Sequence, residues 1–298
     1  MHRIERLGAQ LGGVRRGGGV GISASVTSAH GLDAQQLKGK CCVVTGAGSG
    51  IGAATAMLFA RHGANVVCAD IDEESAKESA QDINQDFPGC AIHLKCDVSN
   101  KADTKNVVDL CVSKFGRLDV FFANAGVLNK FVPIINESEE QFMKVLSINT
   151  LSVFMAIKYA GEAMKKSGGG SIICTGSIAA LRADLTPLQY TASKGAVLSM
   201  VRSANDRMLL DNVRVNAVVP GGVLTPLVMR VAQNLHAENL ELKGYDSMRF
   251  PPIDPAEIAQ VVVFLASDQS QCIKGQQIIA DGAMANSMGS QPYPTKKK

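Results

Sequence analysis

The sequence predicts an α/β fold: one doubly wound, Rossmann-type parallel sheet of about seven strands with helices on both faces. Three observations carry this. Cys41 to Asp70 reads as strand, glycine turn, helix, strand and closing acid, which is one βαβ unit. Short apolar runs then alternate with helical segments as far as Ala280. Glycine, proline and short polar residues punctuate the boundaries.

Cys41 to Thr45 is a short apolar run, read as a buried strand. Ala53 to His62 has helical composition, and Asn65 to Ala69 is apolar again. Glu73 to Phe87 reads as a helix ended by Pro88-Gly89, and Ala91 to Cys96 as a third strand before Asp97-Val98-Ser99. Lys101 to Phe115 is an amphipathic helix. Leu118 to Ala123 is a fourth strand running into Asn124-Ala125-Gly126. Ser138, with Glu140 and Gln141 behind it, opens one long helix through Lys166, which Gly168 to Gly170 break. Ser171 to Thr175 is a fifth strand, and Thr186-Pro187 opens a helix through Leu210. Val213 to Val219 is a sixth strand ending at Pro220-Gly221-Gly222. Asp254-Pro255 caps a helix to Ala266, and Gln277 to Ala280 is the last strand. No second domain or internal repeat is evident; the folded region is expected over 37–285, with a flexible tail over 286–298.

In an open α/β sheet, ligands bind beyond the carboxyl ends of the strands. Gly46, Gly48, Gly50 and Gly52 follow the first strand at once. They allow a tight turn and clear Cβ atoms from a pyrophosphate at the helix N-terminus, where free N–H groups favour anions. Asp70 lies 18 residues after Gly52. An acid there accepts hydrogen bonds from both ribose hydroxyls of an adenosine and repels a 2′-phosphate. No Arg or Lys lies among Ala47 to Ile51 to pair with such a phosphate. The expected cofactor is therefore NAD rather than NADP.

The chain is 46% hydrophobic and 19% charged over 298 residues, enough for a sizeable core. A net charge of +3 does not suggest nucleic-acid binding, and the Lys-Lys-Lys end reads as a solvated tail. Eight cysteines sit mostly in apolar runs without Cys-x-x-Cys spacing, so neither a zinc site nor a disulfide framework is indicated. Buried thiols suit a reducing compartment such as the cytoplasm. No apolar run reaches the ~18 residues a membrane span needs. Residues 1–36 differ: Arg3, Arg6, Arg15 and Arg16, a Gly17-Gly18-Gly19 run and almost no acid. This segment reads either as a mitochondrial or other organellar presequence or as a flexible extension. His93 on a strand and His236 find no metal-ligating cluster around them.

Tyr190 and Lys194 stand at i, i+4 on a helix and share one face. A free phenol, with a pKa of about 10, is a poor base at neutral pH. A nearby ammonium favours the phenolate, so the pair suits proton exchange with an alcohol or carbonyl oxygen. Ser177, 13 residues earlier and just past the fifth strand, can hold that oxygen or merely cap its own turn. Asn149 is polar in the middle of an apolar helix, where Asn is a poor choice. It reads either as the holder of a water in a proton relay to Lys194 or as a core amide satisfied by backbone.

Taken together, Thr45-Gly46-x-x-x-Gly50-x-Gly52 and the set Asn149, Ser177, Tyr190 and Lys194 resemble the classical short-chain dehydrogenase/reductase family. The likeness covers about Leu37 to Gly282. It implies a catalytic tetrad of those four residues. It also implies a cofactor site of Gly46, Ser49, Gly50, Ile51, Gly52, Asp70, Ile71, Asp97, Val98, Asn124, Ala125, Gly126, Tyr190, Lys194, Pro220, Val223 and Thr225. Ala123 replaces the asparagine usual before Asn124, and Ala180 and Ala283 replace common glycines. In this family the segment 226–250 forms a substrate lid; here it mixes Leu227, Val228, Met229, Tyr245 and Phe250 with charged residues. That suits a small hydrophobic alcohol or ketone (alicyclic, terpenoid or steroid-like), although packing on the sheet explains the same residues. Most members pair through their two long helices, so a homodimer or homotetramer is expected.

Three functional readings follow. The favoured one is an NAD-dependent enzyme interconverting a secondary alcohol and a ketone. The second is an NADPH-linked ketone or 3-oxoacyl reductase on the same scaffold, which Asp70 opposes. The third is a non-catalytic NAD-binding regulatory protein, which the complete tetrad opposes.

Overall fold

The computed structural model describes residues 35–182, 186–230 and 251–287. The expectations for the N-terminal segment, for most of the lid including His236 and for the C-terminal tail concern residues outside that set. The strands are β1 (Cys41–Thr45), β2 (Asn65–Asp70), β3 (Ala91–Lys95), β4 (Val120–Ala123), β5 (Gly170–Thr175), β6 (Val213–Pro220) and β7 (Gln277–Ala280). The helices between them are α1 (Gly50–Arg61), α2 (Glu73–Asp86), α3 (Lys101–Phe115), α4 (Glu139–Leu146), α5 (Ser152–Lys166), α6 (Leu188–Met208) and α7 (Pro255–Ala266).

The strands form one sheet in the order β3-β2-β1-β4-β5-β6-β7, and every pairing is parallel. Parallel strands covered on both faces must be apolar on both, and these alternate accordingly. Val43, Phe121, Ile172 and Val215 face a core with α3, α5 and α6. Cys42, Val44, Phe122 and Ile173 face the other, with α1 and α7. Phe59, Phe121 and Phe122 are wholly buried, each contributing about 1.5–3 kcal/mol of hydrophobic stabilisation.

Two local expectations need correction. The helix expected from Ser138 to Lys166 is two helices joined by a π turn, Ser147–Leu151. The polar Asn149 sits in that turn, and the Ser152 hydroxyl donates to the Ile148 carbonyl just behind it. β4 begins at Val120, not at Leu118, because the Asp119 carboxylate turns back to accept the Cys41 N–H at 2.9 Å and the Arg117 guanidinium. Helix starts follow their caps: Asp72 accepts from Ser75 N–H, Asn100 from Ala102 N–H, and Asp254 forms a full capping box with Glu257.

Candidate active site

The chain winds from β1 out to β3 and returns to β4. The crevice beyond the carboxyl ends of β1 and β4 is therefore the topological switch point, where open sheets bind ligands. The loop between β1 and α1 lies there. A Cβ on Gly52 would stand 1.9 Å from the Gly46 carbonyl oxygen, so only glycine lets α1 approach this closely. Gly48 would put a Cβ 2.7 Å from that of Ser75. Its N–H donates to Asp70 Oδ2 at 2.9 Å, and Asp72 N–H donates to Oδ1 at 3.1 Å. Two backbone donors thus fix the Asp70 carboxylate at the end of β2, beside the glycine loop. Ser49 makes no side-chain cap and the first turn of α1 holds no acid. Its leading N–H groups remain available to an anion.

Thr45 organises the far side of the loop, a role no sequence motif signalled. Its hydroxyl accepts from Asn124 N–H at 3.0 Å and Ala125 N–H at 3.2 Å, and donates to the Phe122 carbonyl. The Asn124 amide in turn donates to the Thr45 carbonyl at 3.1 Å and accepts from the Thr175 hydroxyl at 3.1 Å. One side chain therefore stitches β1, β4 and β5 together. The Asn124 amide itself is taken up by the scaffold, so only backbone at Asn124-Ala125-Gly126 is left to face a cofactor.

At Gly126 the two halves of the site meet. A Cβ there would lie 3.2 Å from Asn149 Oδ1 and 3.6 Å from Lys194 Nζ. Asn149 is wholly buried. Its oxygen accepts from Val127 N–H at 2.8 Å, and its two donors go to the Val127 carbonyl at 2.9 Å and to Ser193 Oγ at 3.1 Å. The amide is thus held by the Val127 backbone and by one side chain, that of Ser193. Ser193 passes the link on by donating to the Tyr190 carbonyl at 2.7 Å, while the Thr150 hydroxyl donates to the Ser193 carbonyl at 3.2 Å. Ser193 is the residue the sequence reading missed. It is a fully buried hydroxyl between Tyr190 and Lys194, and a serine there carries no sequence signal of its own.

Ser177, Tyr190 and Lys194 come together as their spacing implied. The Ser177 hydroxyl caps its own turn by accepting from Ala179 N–H at 3.1 Å, and it lies close enough to the Tyr190 phenol to lower its proton affinity. Lys194 Nζ lies 5.6 Å from the centre of the Tyr190 ring and donates to the Thr175 carbonyl at 2.8 Å. Burial disfavours the charged form of both groups. It pushes the Lys194 ammonium down to about 8, with Cys174 opposing slightly. It pushes the Tyr190 phenol up to about 12, against the lowering effect of Ser177. Desolvation thus outweighs the lowering effect at the phenol, which comes from Ser177.

The remaining expected residues surround this centre. Asp97 Oδ1 accepts from Ser99 N–H and from the Ser99 hydroxyl, fixing the Asp97-Val98 turn at the end of β3. Ile71 is exposed next to Asp70. Pro220 ends β6, and Val223 forms a parallel bridge with Ile253. The Thr225 methyl packs against Gly50, bringing this loop over the start of α1; a Cβ on Gly50 would lie 3.0 Å from it. Leu181, Leu188, Leu224 and Val228 stay exposed on the loops that follow β5 and β6 and at the start of α6. Among the described residues no group of three metal-ligating side chains occurs, and no helix is long and apolar enough to cross a membrane.

A glycine-lined crevice leading to hydroxyl, phenol and ammonium groups defines a nucleotide-binding oxidoreductase of the single-sheet α/β class. The chain belongs to the short-chain dehydrogenase/reductase family. A family model described as enoyl-(acyl carrier protein) reductase matches residues 46–285. The chain is 36% identical to short-chain dehydrogenase reductase 3b of Arabidopsis thaliana, over 84% of this chain and 97% of that protein. It is 37% identical to momilactone A synthase of Oryza sativa subsp. japonica, over 85% and 92%. Its fold matches the solved structure of a 7α-hydroxysteroid dehydrogenase complexed with NADH and 7-oxo glycochenodeoxycholic acid. The TM-score there is 0.76, with 28% identity over 85% of this chain and 97% of that one.

Proposed function

We propose that this protein is an NAD-dependent dehydrogenase that interconverts a hydrophobic secondary alcohol and its ketone. The observation that carries the reading is the buried Lys194 ammonium, anchored on the Thr175 carbonyl 5.6 Å from the centre of the Tyr190 ring, with Ser177 close to the phenol. The residues present fit a nicotinamide dinucleotide. Asp70 is oriented to accept from ribose hydroxyls, the start of α1 offers N–H groups to a pyrophosphate, and Gly126 leaves the floor beside Lys194 free of side chain. When bound, the cofactor supplies the acceptor or donor of the hydride.

The chain's own residues handle the proton. With burial holding the phenol up to about 12, Tyr190 keeps its proton at neutral pH and is poised to donate it to a carbonyl oxygen. In the oxidative direction Tyr190 takes the hydroxyl proton as the C–H electron pair leaves. Ser177, close to the phenol, and the ammonium of Lys194 favour the phenolate in that direction. Ser177 also orients the substrate oxygen. Asn149 and Ser193 act as positioning residues, tying the Val127 loop to the helix that carries Tyr190.

An apolar rim of Leu181, Leu188, Leu224 and Val228 favours a hydrophobic, alicyclic or steroid-like substrate. The fold match to a hydroxysteroid dehydrogenase supports the same class. By the resemblance to its family, the chain works as a homodimer or homotetramer. The test is a turnover panel of secondary alcohols graded in size, with NAD and NADP offered separately and an enoyl thioester as a further arm. NAD-linked oxidation that improves with alicyclic bulk is expected. Preference for small polar alcohols, for NADP or for the enoyl thioester contradicts the reading.

A further inference from the structure

The opposite end of the sheet carries a second cavity of about 300 Å³, at the amino ends of β1, β4, β5 and β6. Six charged residues line it: Lys40, Arg117, Asp119, Arg214, Asp268 and Lys274. Four of them form two closed pairs. Arg117 holds Asp119 at 2.6 Å, and Lys40 holds Asp268 at 3.0 Å. The remaining two, Arg214 and Lys274, are both cations.

Arg214 is the informative one. Only 8% of it is exposed, and the carboxylate whose charge reaches it, Asp268, is already paired with Lys40. Its guanidinium donates to the carbonyls of Leu265 at 2.9 Å and Ser267 at 3.2 Å, at the end of α7, and to that of Ile273 at 3.5 Å. A helix C-terminus supplies roughly half a negative charge, which leaves the guanidinium incompletely balanced. A buried charge without a full counter-charge is costly, and burial lowers the affinity of Arg214 for its own proton. Lys274 has no ion-pair partner among the described residues and opens onto the same cavity. The floor is formed by Gly168, Gly169 and Gly170; a Cβ on Gly169 would stand 2.4 Å from the Asn212 carbonyl, so the space depends on glycine there.

We infer that this cavity binds a small oxyanion, a phosphate ester or a dicarboxylate, between Arg214 and Lys274. With both Nη2 hydrogens given to carbonyls, the guanidinium acts on the anion through its charge and at most a single remaining N–H, and the lysine adds a point charge from the rim. The site is at the end of the sheet opposite the glycine loop and is independent of the proposed reaction.

The experiment is a thermal-unfolding titration of the full chain, saturated with NAD so that the glycine loop is taken. Inorganic phosphate and succinate are the probes, with chloride at matched ionic strength as control. A saturable rise in unfolding temperature is expected with phosphate or succinate and not with chloride; the stronger response names the group. Lys274→Glu, an exposed change that leaves the fold intact, should weaken that response about tenfold. Arg214→Gln should abolish it where the variant folds. An equal rise with chloride, no rise with either probe, or an undiminished response in Lys274→Glu overturns the inference.

Discussion

The two halves of the crevice are built by opposite means. Around β1 and β2 the surface is backbone: glycines that exclude Cβ atoms, and an aspartate clamped by two N–H groups. Around β5 and α6 it is side chains: the buried Asn149, Ser193 and Lys194, hydrogen-bonded to neighbouring elements, and the half-buried Tyr190. A backbone surface recognises a constant ligand and tolerates little change. A side-chain network holds groups away from their usual proton affinities and depends on every member being in place.

The strongest way to break this contrast is Lys194→Met. Turnover should fall by about 10²–10⁴-fold, the range for losing an acid–base partner, while nucleotide-half stability persists. The pH signature is specific. The folded-state pKa of about 8 lies below the ordinary lysine value of 10.5, so the unfolded chain holds more protons between the two. Stability attributable to Lys194 is therefore lowest below pH 8 and rises through that window, by on the order of 3 kcal/mol. Urea unfolding at stepped pH should show the parent gaining on the variant as pH rises; parallel curves would remove the buried-ammonium account.

The backbone half is sharpened by Gly52→Ala. With 1.9 Å to the Gly46 carbonyl, the new methyl must push α1 off the loop, costing about 1–3 kcal/mol or more and weakening NAD binding. Calorimetry on a folded variant with parent-like NAD affinity would show that the close approach is dispensable. The smallest effect is expected from Ser193→Ala, which leaves one Asn149 donor unpaired inside the core. Stability should drop by about 1–2 kcal/mol, with kcat lowered and KM for NAD unchanged. A rise in KM with kcat intact would place Ser193 with the nucleotide half instead.

The difference between the halves also explains what the sequence made legible. All seven strands lie within two residues of their expected positions; the five inner ones are largely buried and must be apolar runs between glycine, proline and Asx breaks, while the half-exposed edge strands β3 and β7 carry a weaker form of the same pattern. The glycine loop and Asp70 were legible for the same reason: they act through backbone and spacing. The side-chain network was only half legible. Tyr190 and Lys194 follow from helical periodicity, and Ser177 from its place after β5. The π turn that carries Asn149 has no periodic signal. Ser193 and Thr45 are common residues whose roles rest on partners more than forty positions away, Asn149 for Ser193 and Asn124 for Thr45. The proton affinity of Tyr190 escaped because desolvation depends on how closely the neighbours pack, which no spacing encodes.

The most direct test pairs two readings on one variant, Tyr190→Phe: NAD binding by calorimetry and turnover of a hydrophobic secondary alcohol by the absorbance of reduced nicotinamide. NAD affinity close to the parent with turnover down about 10³-fold is the predicted result, since the nucleotide half is untouched and the proton carrier is gone. Turnover within a few-fold of the parent, or turnover in the parent that requires NADP, would contradict the account.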